Sequence, residues 1–167
     1  SLYQYFPDRD GLLNFAIELC VRSTIALFQE YKPILAAMPL KEAMRAYLMG
    51  GVEWGQTVMG LVRFFGRAAY QGDPDLEQRV VRPIATVMRE MMQEILEQAQ
   101  ARGEIREGVD IEATTRALNA LMIVLGDSQL FPYLNTYFQI SNETIPVERV
   151  LSSLLELIEN GIAAEEE

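Results

Sequence analysis

Apolar residues recur three and four positions apart along most of the chain, which is the spacing of one face of an α-helix. No stretch alternates apolar and polar residues in the way that a half-buried strand requires. The pattern therefore predicts an all-α protein. The first helix is predicted over residues 8–32, because Asp8 is placed to cap its start and the ring of Pro33 cannot follow helical backbone.

Glycine and proline positions predict where the next helices bend or end. A second helix is predicted from about Leu40, with a bend or break within or just after it, because each glycine costs about 1 kcal/mol relative to alanine in a helix interior. The glycines concerned are Gly50, Gly51, Gly55 and Gly60. A short apolar helix follows over residues 61–70. Gly72 is expected to end it, and Asp73 and Pro74 are expected to be the N-cap and first residue of another.

The same residue types divide the second half of the chain. Pro83 is expected to kink a helix that runs to Arg102-Gly103, because proline has no N–H to donate and its ring clashes with the preceding turn. Asp110 is predicted to cap the next helix, which Phe131-Pro132 ends or kinks. The last helix is predicted from about Val147.

Two predicted helices are apolar on more than one face. Residues 117–125 are nonpolar except for Asn119, and the last helix is apolar on more than one side around residues 154–158. A helix that is apolar all round must be buried on all sides, so the pair predicts a subunit interface, most simply that of a two-fold homodimer. In the alternative, both are central helices of one compact bundle. The predicted interface residues are Ala117, Leu121, Val124, Val150, Leu154, Leu157 and Ile158.

Composition narrows the chemistry that the chain can perform. It has 24 Asp and Glu residues against 14 Lys and Arg, which gives a formal charge of −10, and it contains no histidine and one cysteine. Histidine-dependent nucleophiles, imidazole metal sites and thiolate zinc cages are therefore excluded. The carboxylates are scattered over predicted helix surfaces, so we expect no enzyme, catalytic residue, metal site or cofactor. The acidic charge, taken alone, argues against a nucleic-acid partner.

The sequence also bears on location in the cell. The longest nearly uncharged apolar run, residues 117–125, is shorter than the roughly 20 residues that span a bilayer. The first residues lack the basic segment and cleavage site of a signal peptide. We therefore expect a cytoplasmic protein that has no membrane partner.

Two short motifs carry a resemblance to a known family. The opening run Ser-Leu-Tyr-Gln-Tyr-Phe-Pro-Asp-Arg-Asp-Gly-Leu-Leu, residues 1–13, resembles the end of the recognition helix, the following turn and the start of the next helix in tetracycline-repressor (TetR) family regulators. The run Arg-Gly-Glu-Ile at residues 102–105, followed by Val-Asp-Ile-Glu-Ala at residues 109–113, is similar to the loop between two long helices of that family's effector domain. With the order of the helices, the resemblance covers the whole chain.

The resemblance implies a TetR-like C-terminal effector-binding and dimerisation domain with a remnant of the DNA-binding domain, most of whose helix-turn-helix is missing. Residues 1–7 would be the end of the DNA-binding domain, residues 8–32 the connecting helix and residues 33–167 the effector-binding and dimerisation domain. Tyr3, Tyr5 and Arg9 would contact DNA. The implied function is a repressor that binds operator DNA as a homodimer and is released by a small, mostly apolar effector. The alternative is a helical dimeric small-molecule-binding or scaffold protein without a DNA role.

An effector domain needs a cavity, and the sequence offers apolar and aromatic residues that are suited to line one. Methionine fills irregular space, while Trp and Tyr bring a polar group to an apolar wall. We expect an apolar or aromatic effector, oriented by Asn119 or a ring hydroxyl; the alternative is that these residues form an ordinary core. The predicted lining residues are Met44, Tyr47, Trp54, Phe64, Phe65, Met88, Met92, Asn119 and Met122. Asp127 is either a ligand or interface residue or, more plainly, a water-facing residue near a helix end.

Overall fold

A computed structural model describes residues 8–162 and Ala164. These residues are mostly helical and contain no strand longer than an isolated bridge at Ile105, so the all-α prediction is confirmed. The helices are α1 (Arg9–Ala36), α2 (Leu40–Thr57), α3 (Met59–Gln71), α4 (Pro74–Leu76), α5 (Arg82–Ala101), α6 (Ile111–Leu130), α7 (Pro132–Phe138) and α8 (Val147–Ile162).

Three aspartates cap helices where the sequence predicted that they would. The side chain of Asp8 accepts a hydrogen bond from the Gly11 N–H (2.6 Å), and that of Asp110 accepts one from the Ala113 N–H (3.0 Å). The side chain of Asp73 accepts from two N–H groups of the turn that Pro74 begins. Each cap satisfies N–H groups that have no partner within the helix.

The prediction that Pro33 ends the first helix is wrong, because α1 continues to Ala36. Proline removes one hydrogen-bond donor, which leaves the carbonyl of Gln29 without its helical partner. Both residues are exposed, so water can satisfy that carbonyl. The helix then ends one turn later, where the Ala37 N–H donates to the Pro33 carbonyl (3.3 Å).

The region of Gly50, Gly51, Gly55 and Gly60 contains one break between helices rather than several. Gly50 and Gly51 lie inside α2, and the break falls at Val58, between Gly55 and Gly60. Further along, Pro83 is the second residue of α5 and follows a π-helical turn over Glu77–Val81. In that turn the Arg82 N–H donates to the carbonyl of Glu77, five residues earlier, so the helix is locally wider than an α-helix. The irregularity predicted at Pro83 is therefore a π-helical turn just before the proline.

Among the described helices, α1 and α5 share the most extensive contact. Helix α6 packs on α2 and α5. Buried apolar side chains form two clusters. The smaller cluster consists of Ile17, Cys20, Ala68, Val80 and Ile84. The larger cluster consists of Leu35, Leu40, Ala43, Met44, Leu48, Met91, Met92, Ile95, Leu96, Ala99, Ile105, Leu118, Met122, Leu125, Leu151, Leu155 and Ile158. Burial in the smaller cluster raises the pKa of the Cys20 thiol to about 11, so the residue is an uncharged core side chain there.

The loop after α5 holds the turn between α1 and α2. The Arg102 guanidinium donates to the carbonyls of Ala36 (2.7 Å) and Met38 (2.8 Å), and it forms an ion pair with Glu104 (2.9 Å). Glu104 in turn accepts a hydrogen bond from the Leu40 N–H (3.0 Å), the first N–H of α2. Because Pro39 has no side-chain group to cap α2, the distant carboxylate takes that role. The pair therefore fixes the C-terminal end of α1.

One described helix, α1, is long and apolar enough to cross a membrane by length and composition alone. This helix contains several charged residues, so it is not among the nearly uncharged runs, the longest of which is residues 117–125. A single helix of this kind is weak support for a membrane span, since core helices of soluble proteins pass the same test.

Candidate functional site

A cavity of about 140 Å³ lies where the two apolar clusters meet. Residues of α1, α2, α3, α5 and α6 form its walls. A dry apolar cavity of about 150 Å³ is enough to hold benzene, so this space is close to the volume that one aromatic ring needs. The lining residues are Thr24, Leu27, Phe28, Tyr47, Leu48, Gly51, Val52, Trp54, Gly55, Leu61, Val62, Phe65, Ile84, Met88, Met122, Ile123, Gly126, Asp127, Leu130 and Phe131.

Aromatic rings form much of the wall between α1 and α2. The rings of Phe28 and Tyr47 meet edge to face, with centroids 6.3 Å apart and planes at 60°. Burial raises the pKa of the Tyr47 phenol, so its hydroxyl stays protonated at neutral pH. No described residue hydrogen-bonds with that hydroxyl, which leaves it free to serve a ligand.

The cavity lining also includes the carboxyl group of Asp127, one turn before the end of α6. Its Oδ2 accepts a hydrogen bond from the hydroxyl of Tyr70, in the last turn of α3. Burial raises the pKa of the Asp127 carboxyl, and the Tyr70 hydrogen bond opposes that rise. The pKa of Tyr70 is raised by burial and then by the carboxylate. The pair therefore ties α3 to α6 beside the cavity.

Two glycines let α2 and α3 approach the end of α6. A Cβ atom on Gly66 would lie 2.4 Å from Cζ of Phe131, and one on Gly55 would lie 2.8 Å from Cδ2 of Leu130. Both separations are too short for real atoms, so side chains at these positions would displace residues that line the cavity. The two glycines thus shape the site by close approach.

A family model described as "Tetracyclin repressor-like, C-terminal domain" matches residues 39–125. That segment begins just before α2 and ends within α6, so it contains most of the helices that wall the cavity. The chain belongs to the TetR family. A search of curated proteins finds no match to it.

The cavity includes five of the nine residues that the sequence predicts for a ligand pocket. Those five are Tyr47, Trp54, Phe65, Met88 and Met122. Met44 and Met92 are instead fully buried in the larger cluster, and Phe64 packs against the smaller one. Asn119 lies almost one turn before Met122 on α6, and its side-chain oxygen is buried without a hydrogen-bond partner in the described chain. Whether any of them binds a ligand stays a prediction.

Several cavity residues were not nominated from the sequence. Thr24, Leu27 and Phe28 of α1 line it, although the sequence predicts α1 only as a connecting helix. Asp127 was considered, but a water-facing position was preferred for it. The sequence shows the helical spacing of these α1 residues, but the neighbouring residues in the sequence do not indicate which other helix packs against them.

The predicted interface residues lie on two neighbouring helices, since α8 packs against α6 and α2. On α6, Ala117 and Leu121 are exposed, with Leu121 at 46%, and Val124 is half-buried. On α8, Val150 and Leu154 are half-buried and Leu157 is 70% exposed. Ile158 is only 6% exposed, because it belongs to the larger cluster.

The structure describes only one of the three residues that are predicted to contact DNA. Tyr3 and Tyr5 lie outside the described residues. Arg9 is exposed in the first turn of α1, next to the N-cap Asp8. Among residues 8–162 and 164, no cluster of three or more Cys, Asp or Glu side chains is arranged to hold a metal ion.

Proposed function

We propose that this chain is the effector-binding and dimerisation part of a ligand-responsive transcriptional regulator. The regulator is a cytoplasmic repressor that binds operator DNA as a homodimer and is released by a small, mostly apolar effector. The observation that carries the proposal is the aromatic-lined cavity of about 140 Å³, one wall of which is the middle of α1. TetR proteins are regulators rather than enzymes, and the proposal assigns no catalytic step to this chain.

The geometry of α1 supports a mechanism for release. Arg102 holds the C-terminal end of this helix at Ala36, and Phe28 meets the cavity about 12 Å from that end at 1.5 Å per residue. Arg9 lies about 40 Å from the same end. An effector that displaces Phe28 would therefore move the start of α1 roughly three times as far, if the helix turns as a rigid rod about Ala36.

Such a movement regulates only if the effector prefers one conformation. A ligand with equal affinity for two states shifts nothing, however tightly it binds. The cavity holds about one ring, so a larger effector fits only after α1 moves away from α2 and α5, and it would bind that state more tightly.

We further propose that the start of α1 joins a DNA-binding unit through which Tyr3, Tyr5 and Arg9 contact operator DNA. Tyrosine hydroxyls and a cation at a helix N-terminus can bind phosphate. Leu12, Leu13 and Leu19 are exposed on this half of α1, and such a surface is suited to cover by that unit.

Dimerisation through α6 and α8 completes the proposal. Leu121 and Leu157 are exposed apolar residues on neighbouring helices, and a second copy of the chain presents the same face to them in a two-fold arrangement. The dimer would set the spacing of two DNA-binding units, as operators with two half-sites require.

Operator binding tests the proposal against the alternative of a dimeric small-molecule-binding or scaffold protein without a DNA role. Protein that carries the proposed DNA-binding unit is added to labelled DNA from its own promoter region, with and without candidate effectors. A regulator binds at a specific sequence with a salt-dependent affinity, and an effector lowers that affinity. A protein that shifts no such DNA, yet binds small aromatic compounds as a dimer, supports the alternative.

A further inference from the structure

The cavity walls contain one formally charged side chain, that of Asp127, among the described residues that line them. No lysine or arginine lines the cavity, and no ion pair to Asp127 occurs in the described part of the chain. A half-buried carboxylate usually has a cation close by, because removing its hydration is costly. Here none of the described residues forms an ion pair with it.

The two oxygens of this carboxylate differ in their surroundings. Oδ2 accepts the hydrogen bond from Tyr70, whereas no described residue donates to Oδ1. The Tyr70 hydroxyl comes from α3 and fixes the orientation of the carboxylate at the cavity wall. Asp127 therefore has one oxygen, Oδ2, that is hydrogen-bonded to Tyr70, and a second, Oδ1, that can accept a hydrogen bond from a ligand.

Aromatic rings complete the chemistry of the site. Phe28, Trp54 and Phe65 line the same cavity as Asp127. The faces of such rings attract cations, and they also pack well against another ring. A ligand with one ring and one protonated nitrogen would satisfy both the rings and the free carboxylate oxygen.

We propose that the cavity selects small aromatic amines, whose ammonium group donates a hydrogen bond to Oδ1 of Asp127 while the ring lies among the aromatic side chains. This inference rests on the proposed effector-binding function and adds a ligand class to it. The part of such a ligand that the closed cavity holds is about one ring, since the cavity measures about 140 Å³.

Matched probes of one size test the selection. Benzylamine, benzyl alcohol and benzoate are titrated into the chain by calorimetry at neutral pH and 150 mM salt, at which attraction to the acidic surface is largely screened. We expect benzylamine to bind at least about tenfold more tightly than benzyl alcohol, because hydrogen bonds between ionised groups are stronger than neutral ones. Benzoate should bind more weakly than either, since its carboxylate meets that of Asp127.

Asp127→Asn keeps the size of the side chain and an acceptor for Tyr70 but removes the charge. We expect this variant to lose the preference for benzylamine while its affinity for benzyl alcohol changes by less than about threefold. Glu53→Gln is the matched control, because Glu53 is an exposed carboxylate next to Trp54 that lies outside the cavity lining. The control should keep the preference.

Two results would overturn the selection while leaving the effector cavity in place: equal binding of benzylamine and benzyl alcohol, or a preference that survives in Asp127→Asn. Failure of all three probes to bind at millimolar concentration would overturn the effector cavity as well. If Asp127→Asn does not fold, a crystal structure with benzylamine decides the matter. It must place the nitrogen within hydrogen-bond distance of Asp127, and any other position contradicts the proposal.

Discussion

Replacing Arg102 with alanine should destabilise the fold at the turn between α1 and α2. The guanidinium donates to the carbonyls of Ala36 and Met38 and pairs with Glu104. The Ala36 residue is buried, so the loss leaves its carbonyl unsatisfied at a cost of about 1–3 kcal/mol. Met38 is half-buried and the Arg102 side chain is 32% exposed, so water offsets most of the remaining loss. We expect a total loss of about 2 kcal/mol in the free energy of unfolding.

Urea unfolding followed by circular dichroism measures this loss at a fixed protein concentration. A change of about 2 kcal/mol should also lower the Tm by roughly 4–8 °C for a chain of this length. Arg116→Ala is the control, because Arg116 pairs with Glu112 on the surface of α6 at 61% and 78% exposure. That variant should change stability by less than about 0.5 kcal/mol. If Arg102→Ala unfolds at the same urea concentration as Arg116→Ala, the assigned role of Arg102 is wrong.

The stabilisation by the Arg102–Glu104 ion pair should depend on pH. The Arg102 hydrogen bond holds the pKa of Glu104 below its ordinary value of 4.5. A carboxyl whose pKa is lowered by folding stabilises the fold above its unfolded pKa, and that contribution is lost as the pH falls through the folded pKa. The stability difference between the natural chain and Glu104→Gln should therefore be full near pH 7 and shrink below about pH 4.5. A difference that stays constant down to pH 3 would contradict this.

Two further predictions concern close packing and assembly. Gly66→Ala should destabilise the chain by about 1–3 kcal/mol in thermal or urea unfolding, because the added carbon overlaps the ring of Phe131. Gly50→Ala, at an open position inside α2, should instead stabilise it by about 0.5–1 kcal/mol, and equal effects would refute the packing argument. Leu157→Glu should convert the proposed dimer into monomers in sedimentation velocity, while Met49→Glu, at an exposed position on α2, should leave it dimeric. A natural chain that sediments as a monomer would rule out the α6–α8 interface.

Local chemistry explains which parts of the fold the sequence could predict. Asp8 and Asp110 cap helices through bonds to residues three positions away, so the sequence contains both partners side by side. The effect of Pro33 is not predictable in this way, because the cost of a proline depends on whether the carbonyl that loses its hydrogen bond is exposed, which is a property of the folded chain. Packing decides that, and no local pattern reveals it.

The candidate site depended still more on distant contacts. Periodicity gave the apolar faces of α2 and α5, and with them Trp54 and Met88, but it could not show that the middle of α1 faces them. The Tyr70–Asp127 hydrogen bond joins residues 57 positions apart. From the sequence alone, each of the two would be predicted to be an exposed polar side chain. Such a pair becomes visible only when α3 and α6 are placed together.

The size of the cavity limits how an effector can act through α1. Moving an equilibrium from 1:99 to 99:1 requires binding that is about 10⁴-fold tighter in one state, or about 5.5 kcal/mol. The best small ligands gain at most about 1.5 kcal/mol per non-hydrogen atom, so at least about four atoms must make their contacts in one state only, whereas a single-ring ligand that fits the closed cavity makes most of its contacts in both states. An effector must therefore gain its preference from atoms that fit only after α1 moves. Under the proposals above, a ring bearing an amine and a further apolar extension would meet that requirement, because Asp127 would anchor it on α6 while the extension displaced Phe28.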